Sequence, residues 1–201
     1  MTQNDELPTI RQRMDKRAQE IAEDHRLRIK NRRDGQTYVV PPLPEGVELK
    51  KRDDVESWMK AAFEAAKESD DPSTQVGAVL VYELNGRVQA RSHNTLPHGV
   101  EIKTYRRERP IKYKWTAHAE ERLIAQCARL GIICDEAIVA TTHHPCSACA
   151  RILIEAGIKR VYYHTYVFGG DWLEDCTIAR HMLYEAGVEV IYYTEKFPLD
   201  E

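Results

Sequence analysis

Two short segments carry residues that can hold a soft divalent cation. His118 opens His-Ala-Glu at 118–120, and Cys146 and Cys149 lie in Pro-Cys-Ser-Ala-Cys at 145–149. On a helix, positions i and i+3 share a face, so the two sulfurs come within reach of one ion. Pro145 favours a helix start, where free N–H groups and the positive end of the dipole lower thiolate pKa values. Two thiolates and an imidazole suit zinc. They leave a tetrahedral ion one position for water, which marks a catalytic site and not a closed structural one. Glu120 follows His118 by two positions, roughly 200° away around a helix, so it does not approach the ion as His118 does. At a first turn beside an open pocket its carboxylate can reach the water, take its proton and pass it on. That combination suits attack on an electron-poor carbon, and hydrolytic deamination is its natural use.

Taken singly, each segment says little. A lone histidine at a helix start is usually an ordinary polar residue, and Cys-x-x-Cys serves redox motifs and structural zinc as well. The ordered pair, H-x-E and then P-C-x-x-C, carries the inference.

The elements that must position these residues follow from periodicity. Residues 118–131 read as a helix closed by Gly131, 136–142 as a strand, 146–157 as a helix closed by Gly157, and 158–163 as a strand. The strand between the two motifs returns the chain so that both helix starts meet at one end of a sheet, where open α/β sheets bind ligands. "LIEAGIKRVYY" at 153–163 is echoed by "LYEAGVEVIYY" at 183–193, so a helix, a glycine stop and a strand occur twice. Such units form right-handed crossovers between parallel strands. Upstream, "DDVESWMKAAFEAAKES" places Val55, Trp58, Met59, Ala62, Phe63 and Ala66 at helical spacing, with Asp53 or Asp54 as cap. "TQVGAVLVYELNGRVQARSHN" reads as two strands joined tightly at Asn85-Gly86. The expected fold is α/β: three layers, with a five-stranded mixed sheet whose first two strands are antiparallel and helices on both faces.

Ahead of this, residues 8–33 read as a helix with few large apolar residues, and the proline- and glycine-rich stretch after it breaks the pattern. Residues 1–50 are therefore expected to form an N-terminal helical extension and linker, and 51–201 the zinc-binding catalytic domain. The 201 residues carry a net charge of −3, with 42% hydrophobic and 30% charged residues, which argues against a general nucleic-acid or anionic-membrane field. No run approaches the roughly 18 apolar residues of a spanning helix, and the start lacks the apolar centre of a secretory signal. Five cysteines without an export signal point to reduced thiols and a cytoplasmic location. Cys127, Cys134 and Cys176 read as buried thiols.

Several blocks together resemble the cytidine-deaminase-like superfamily, and within it the deoxycytidylate (dCMP) deaminases, over about residues 53–193. They are "SDDPSTQVGAVLV", the Asn and Pro of "HNTLPHG", "RR" followed by "KYKWTAHAEE", "PCSACARILIEAGIKRVYY" and "AGVEVIYY". The resemblance implies a five-stranded mixed sheet sandwiched by helices, Zn2+ as cofactor, and conversion of dCMP and water to dUMP and ammonia, a supply route to thymidylate. It implies His118, Cys146 and Cys149 as zinc ligands and Glu120 as the catalytic acid/base. It also implies Asn94 and the backbone N–H of Ala119 as contacts to the nucleoside, and a homo-oligomeric assembly. Arg106 or Arg107, with Tyr113, are the candidates for the 5′-phosphate, because a guanidinium offers a rigid fork of donors to phosphate oxygens. Many members respond to dCTP and dTTP through a "GYNG" segment that stands here as "SHNT" at 92–95, so those effectors do not carry over residue by residue.

Two other readings share the motif. In a polynucleotide deaminase, acting on tRNA adenosine or single-strand cytosine, the basic stretch at 11–33 and Trp115 would hold the strand. An inactive zinc-stabilised interaction module would bind metal without turnover, although such a module has no use for Glu120.

Overall fold

A computed structural model of the chain describes residues 28–30, 37–39, 54–165 and 171–193. By internal contacts the chain divides into two units, Met1–Gly46 and Val47–Glu201. In the first, strand β1 (Arg28–Lys30) pairs antiparallel with β2 (Thr37–Val39), Ile29 opposite Tyr38. This corrects the helix expected over 8–33. It does not reach past residue 27, and its earlier part lies outside the described residues. Thr37-Tyr38-Val39 is the β-branched and aromatic composition that strands favour, and Asp34-Gly35 is as good a hairpin signal as a helix stop.

The second unit is built on β3 (Gly77–Val81), β4 (Val88–His93), β5 (Ile138–His143), β6 (Arg160–Thr165) and β7 (Glu189–Tyr192). Their spatial order is β4-β3-β5-β6-β7. β3 runs antiparallel to both neighbours, and β5, β6 and β7 are mutually parallel. Among the described residues, four helices cover this sheet: α1 (Val55–Ala66), α2 (Ala119–Leu130), α3 (Ser147–Glu155) and α4 (Asp171–Glu185). The five-stranded mixed sheet with helices on both faces is the expected fold.

Strand alternation divides the core in two. Val79, Val81, Ile138, Ala140, Tyr162 and Ile191 face α1, where Trp58 and Met59 are fully buried. Ala78, Leu80, Val139 and Val161 face the other way, against Leu123 of α2, Leu153 of α3 and Leu183 of α4. Burial on both faces explains why β3 reads as an unbroken apolar run.

The internal repeat is structural. Gly157 and Gly187 both have positive φ, +74° and +77°. Ile158 N–H donates to Leu153 O at 3.1 Å, and Val188 N–H donates to Leu183 O at 2.8 Å. Each helix therefore ends in the same left-handed glycine motif and hands the chain to a parallel strand.

Two local expectations needed correction. The β3–β4 connection is longer than a two-residue turn. Gly86 has φ +64° but Asn85 does not have positive φ, and Tyr82 O accepts from both Asn85 and Gly86 N–H. A type I′ turn requires positive φ at both central residues, so the asparagine–glycine pair marked the hairpin but not its turn. Asp54 does precede α1, yet its side chain caps nothing; Ser57 Oγ donates to Asp54 O at 2.7 Å instead.

Gly77 lets α1 lie close on β3. A Cβ there would stand 2.0 Å from Ala62 O and 2.5 Å from Ala66 N, both backbone atoms. Gly77→Ala is expected to force helix and strand apart and lower unfolding free energy by about 1–3 kcal/mol, measured by denaturant titration. An unchanged midpoint would show that α1 can shift freely.

Candidate active site

Both helix starts carrying the cation-binding residues open at the same end of the sheet. His118 is the residue before α2, in extended conformation (φ −70°, ψ 158°), and its N–H donates to the Glu121 carboxylate at 3.3 Å. It is anchored from the other side as well: Ala117 and Thr95 exchange backbone hydrogen bonds at 2.9 and 3.3 Å. This bridge sets Asn94 and His118 just outside the same pair. Cys146 is the residue before α3 (φ −76°, ψ 173°), and its Sγ accepts from Cys149 N–H at 3.5 Å.

His118 Nδ1 lies 3.3 Å from Cys146 Sγ and 3.4 Å from Cys149 Sγ. Donors on one tetrahedral zinc, at ~2.3 Å for sulfur and ~2.0 Å for nitrogen, are separated by roughly 3.5 Å, so the cluster fits that ion. Among the described residues it is the one such group of three, its ligand atoms all within 4.8 Å of one another. Without an ion, the three donors share protons among themselves. The Cys149 side chain and the His118 ring hold the Cys146 thiol down to about 4, while the Cys146 sulfur raises His118 to about 9. The hydrogen-bonded Cys146 sulfur and burial push Cys149 up, so a cation binding here would have to displace those protons.

Glu120 is 3% exposed. Its Oε1 accepts from Thr141 Oγ1 at 3.0 Å, and its Oε2 lies 3.5 Å from Cys149 Sγ. Desolvation raises its pKa, partly opposed by His118, so this carboxyl group binds a proton more readily than one in water. The start of α2 thus brings His118 and Glu120, two positions apart, to the same sulfur, Cys149 Sγ.

These groups border a cavity of about 230 Å3. Asn94, Ala119 and Tyr113 line it, as do His143 and His144. The Asn94 carboxamide is fixed by the fold: Oδ1 accepts from Val76 N–H at 2.7 Å and Nδ2 donates to Thr74 O at 2.8 Å. Arg106 and Arg107 are not on the cavity wall. Arg106 lies 4.1 Å over the Trp115 ring and donates to Glu101 O, and Arg107 donates to Asp70 O. The cations on the wall are Arg109 and Lys112. Lys112 is buried and committed, with Nζ at 2.7 and 2.9 Å from the two Asp71 oxygens and 2.7 Å from Ser73 Oγ.

Three contributors carried no signal in the sequence. Thr141 is a fully buried strand residue whose hydroxyl meets Glu120. Trp172, in the first turn of α4, lines the cavity with its ring 6.2 Å from that of His118. Asp175, one turn on, accepts from Ser147 N–H at 2.8 Å and also from Ser147 Oγ. Thr141 falls in an apolar strand pattern, and α4 lies far along the chain from both motifs.

Residues 52–165 match the cytidine and deoxycytidylate deaminase zinc-binding region. The chain belongs to that family. Its relatives include an uncharacterized deaminase of Aliivibrio fischeri, 38% identical over 73% of this chain and 97% of the other. Mouse deoxycytidylate deaminase is 33% identical over 67% of this chain and 78% of its own length. Among solved structures, the dCMP deaminase of cyanophage S-TIM5 in complex with dCMP and dUMP superposes with a TM-score of 0.60 at 26% identity, covering 72% of this chain and 99% of that one. The family assignment agrees with the cluster's chemistry: the chain is a zinc-dependent hydrolase. No helix among the described residues is long and apolar enough to cross a membrane.

Proposed function

We propose that this chain deaminates dCMP, water replacing the amino group at C4 to give dUMP and ammonia. The observation that carries the reading is the buried Glu120 carboxylate, 3.5 Å from Cys149 Sγ at the wall of a nucleoside-sized cavity. The relatives named deoxycytidylate deaminase and the phage enzyme solved with dCMP and dUMP support the choice of substrate.

His118 Nδ1, Cys146 Sγ and Cys149 Sγ would hold a zinc ion, which would supply a Lewis-acidic position that makes water a nucleophile near neutral pH. Glu120 accepts one proton from the attacking water and delivers it to the pyrimidine ring nitrogen beside C4, then takes the remaining proton from the oxygen now on C4 and delivers it to the amine, which departs as ammonia. Thr141 keeps one carboxylate oxygen occupied so that the other faces the reaction. Asn94, locked by Val76 and Thr74, and the Ala119 N–H, which no helical carbonyl reaches, position the nucleoside. Arg109 and Tyr113 take the 5′-phosphate in place of Arg106 and Arg107, whose guanidiniums are engaged elsewhere.

The five cysteines are unpaired, which suits a reducing, cytoplasmic setting, and the family resemblance supports a homo-oligomer. The segment at 92–95 that departs from the family pattern is tied into the fold: His93 O accepts from Arg122, and Thr95 Oγ1 donates to Asp70.

The test is ammonia release from dCMP, CMP, deoxycytidine, dCTP and a cytosine-containing single strand, before and after removal of metal by a chelator. Turnover of dCMP above the others, abolished by chelation and restored by zinc, is expected. Preference for the single strand, with affinity falling steeply between low and moderate salt, would replace this reading with a polynucleotide deaminase.

A further inference from the structure

α4 lies beyond the segment that matches the family, yet it reaches the cluster. Asp175 accepts two hydrogen bonds from Ser147, the first residue of α3: one from the backbone N–H at 2.8 Å and one from Oγ. Ser147 directly follows Cys146. The peptide joining them is therefore held by a carboxylate from another helix.

That peptide matters because it orients a sulfur. The first-turn N–H groups of a helix have no carbonyl partners of their own, and at α3 they are divided. Ser147 N–H goes to Asp175, and Cys149 N–H goes to Cys146 Sγ at 3.5 Å. With the Cys146–Ser147 peptide fixed, ψ of Cys146 is set at 173°, and Sγ points at His118 Nδ1, 3.3 Å away. A carboxylate at a helix N-terminus is also favoured by the local dipole. The same helix places Trp172 beside His118, so it meets the cluster from two sides.

We infer that Asp175 is a positioning residue for zinc: by gripping Ser147 it preorganises the Cys146–Cys149 turn and tightens metal binding. This rests on His118, Cys146 and Cys149 holding the ion. Residues that orient metal ligands typically contribute about 10–100-fold to metal affinity.

The experiment is zinc affinity of the full-length protein, measured by competition with a chromogenic chelator, for wild type, Asp175→Ala, Asp175→Asn, Ser147→Ala and Glu174→Ala. Thermal unfolding of each ion-free protein is recorded in parallel. Asp175→Ala is expected to bind zinc about 10–100-fold more weakly. Asp175→Asn, which keeps an acceptor for the Ser147 N–H, and Ser147→Ala, which keeps that N–H, should fall between it and wild type. Glu174→Ala removes the same charge from the same helix and should bind as wild type does. Cobalt-loaded Asp175→Ala should show altered visible bands, reporting a displaced sulfur ligand. Equal zinc affinity in wild type and Asp175→Ala, or an equal loss in Glu174→Ala, overturns the role of Asp175 while leaving the zinc site intact. If Asp175→Ala does not fold, the two milder variants decide: affinity unchanged in both overturns it. Wild type without tightly held zinc would remove the underlying site itself.

Discussion

Glu120→Gln should bind zinc as tightly as the parent chain and unfold at a similar temperature, yet turn over dCMP at least about a hundredfold more slowly. The replacement keeps size and shape. The side-chain oxygen that accepts from Thr141 at 3.0 Å remains available, so the local packing is preserved. What disappears is the ability to take up and release a proton at a point 3.5 Å from Cys149 Sγ. Because the proposed substrate contacts lie on Asn94, Ala119 and the cavity wall, the loss should fall on kcat and leave KM little changed. Steady-state kinetics with metal analysis of the same sample checks this. Turnover within a few-fold of the parent at full zinc content would remove Glu120 from the mechanism.

Lys112→Met should cost about 3–5 kcal/mol of unfolding free energy at neutral pH, because it strands Asp71 as a buried charge without its partner. Lys112 and Asp71 are both almost fully buried, and Asp71 also accepts from Ser73 and Thr74 N–H at 2.9 and 3.0 Å. Burial by itself would raise the Asp71 pKa; the Lys112 ammonium and those donors hold it below the ordinary carboxylate value. A depressed folded-state pKa contributes stability above the unfolded value, near 3.9, and loses it as pH falls through the folded one. In Lys112→Met the unpartnered carboxyl instead gains from protonation. The gap between parent and variant should therefore narrow on acidification, and Asp71→Asn in the variant background should recover part of the loss at pH 7. Denaturant titrations at pH 7 and pH 4 read both effects. A gap under about 1 kcal/mol, or one independent of pH, would show the pair to be solvated in solution.

The sequence disclosed those parts of the molecule whose residue types leave few alternatives. An imidazole and two sulfurs in ordered motifs are seldom together for packing alone, and their convergence needed only one intervening strand. The helix–glycine–strand repeat was legible because Gly157 and Gly187 must take positive φ where the helices end. Where several outcomes suit the same residues, pattern was a weaker guide. Arg106, Arg107 and Arg109 are equivalent as cations, and two short 3-10 turns, Thr104–Arg107 and Ile111–Lys114, decide which one faces the cavity. No helical or strand period applies across such a segment. Thr141 looks like any β-branched strand residue until its hydroxyl is seen against Glu120. Asp175 and Trp172 depend on how α4 docks, which is a property of the packed core and not of their neighbours in the chain. In the N-terminal unit, charge and sparse apolar spacing suggested a helix where Arg28–Lys30 pairs as a strand.

His118 and Cys146 are 28 positions apart, joined only by α2 and β5. An ion gripping both ends of that span works as a reversible crosslink. Closing a chain loop of this size with a covalent bridge restricts the unfolded ensemble by roughly 3–4 kcal/mol. Metal supply thereby becomes a determinant of how long the enzyme survives as well as of whether it turns over: a cell short of zinc would hold a pool that is both silent and easier to degrade.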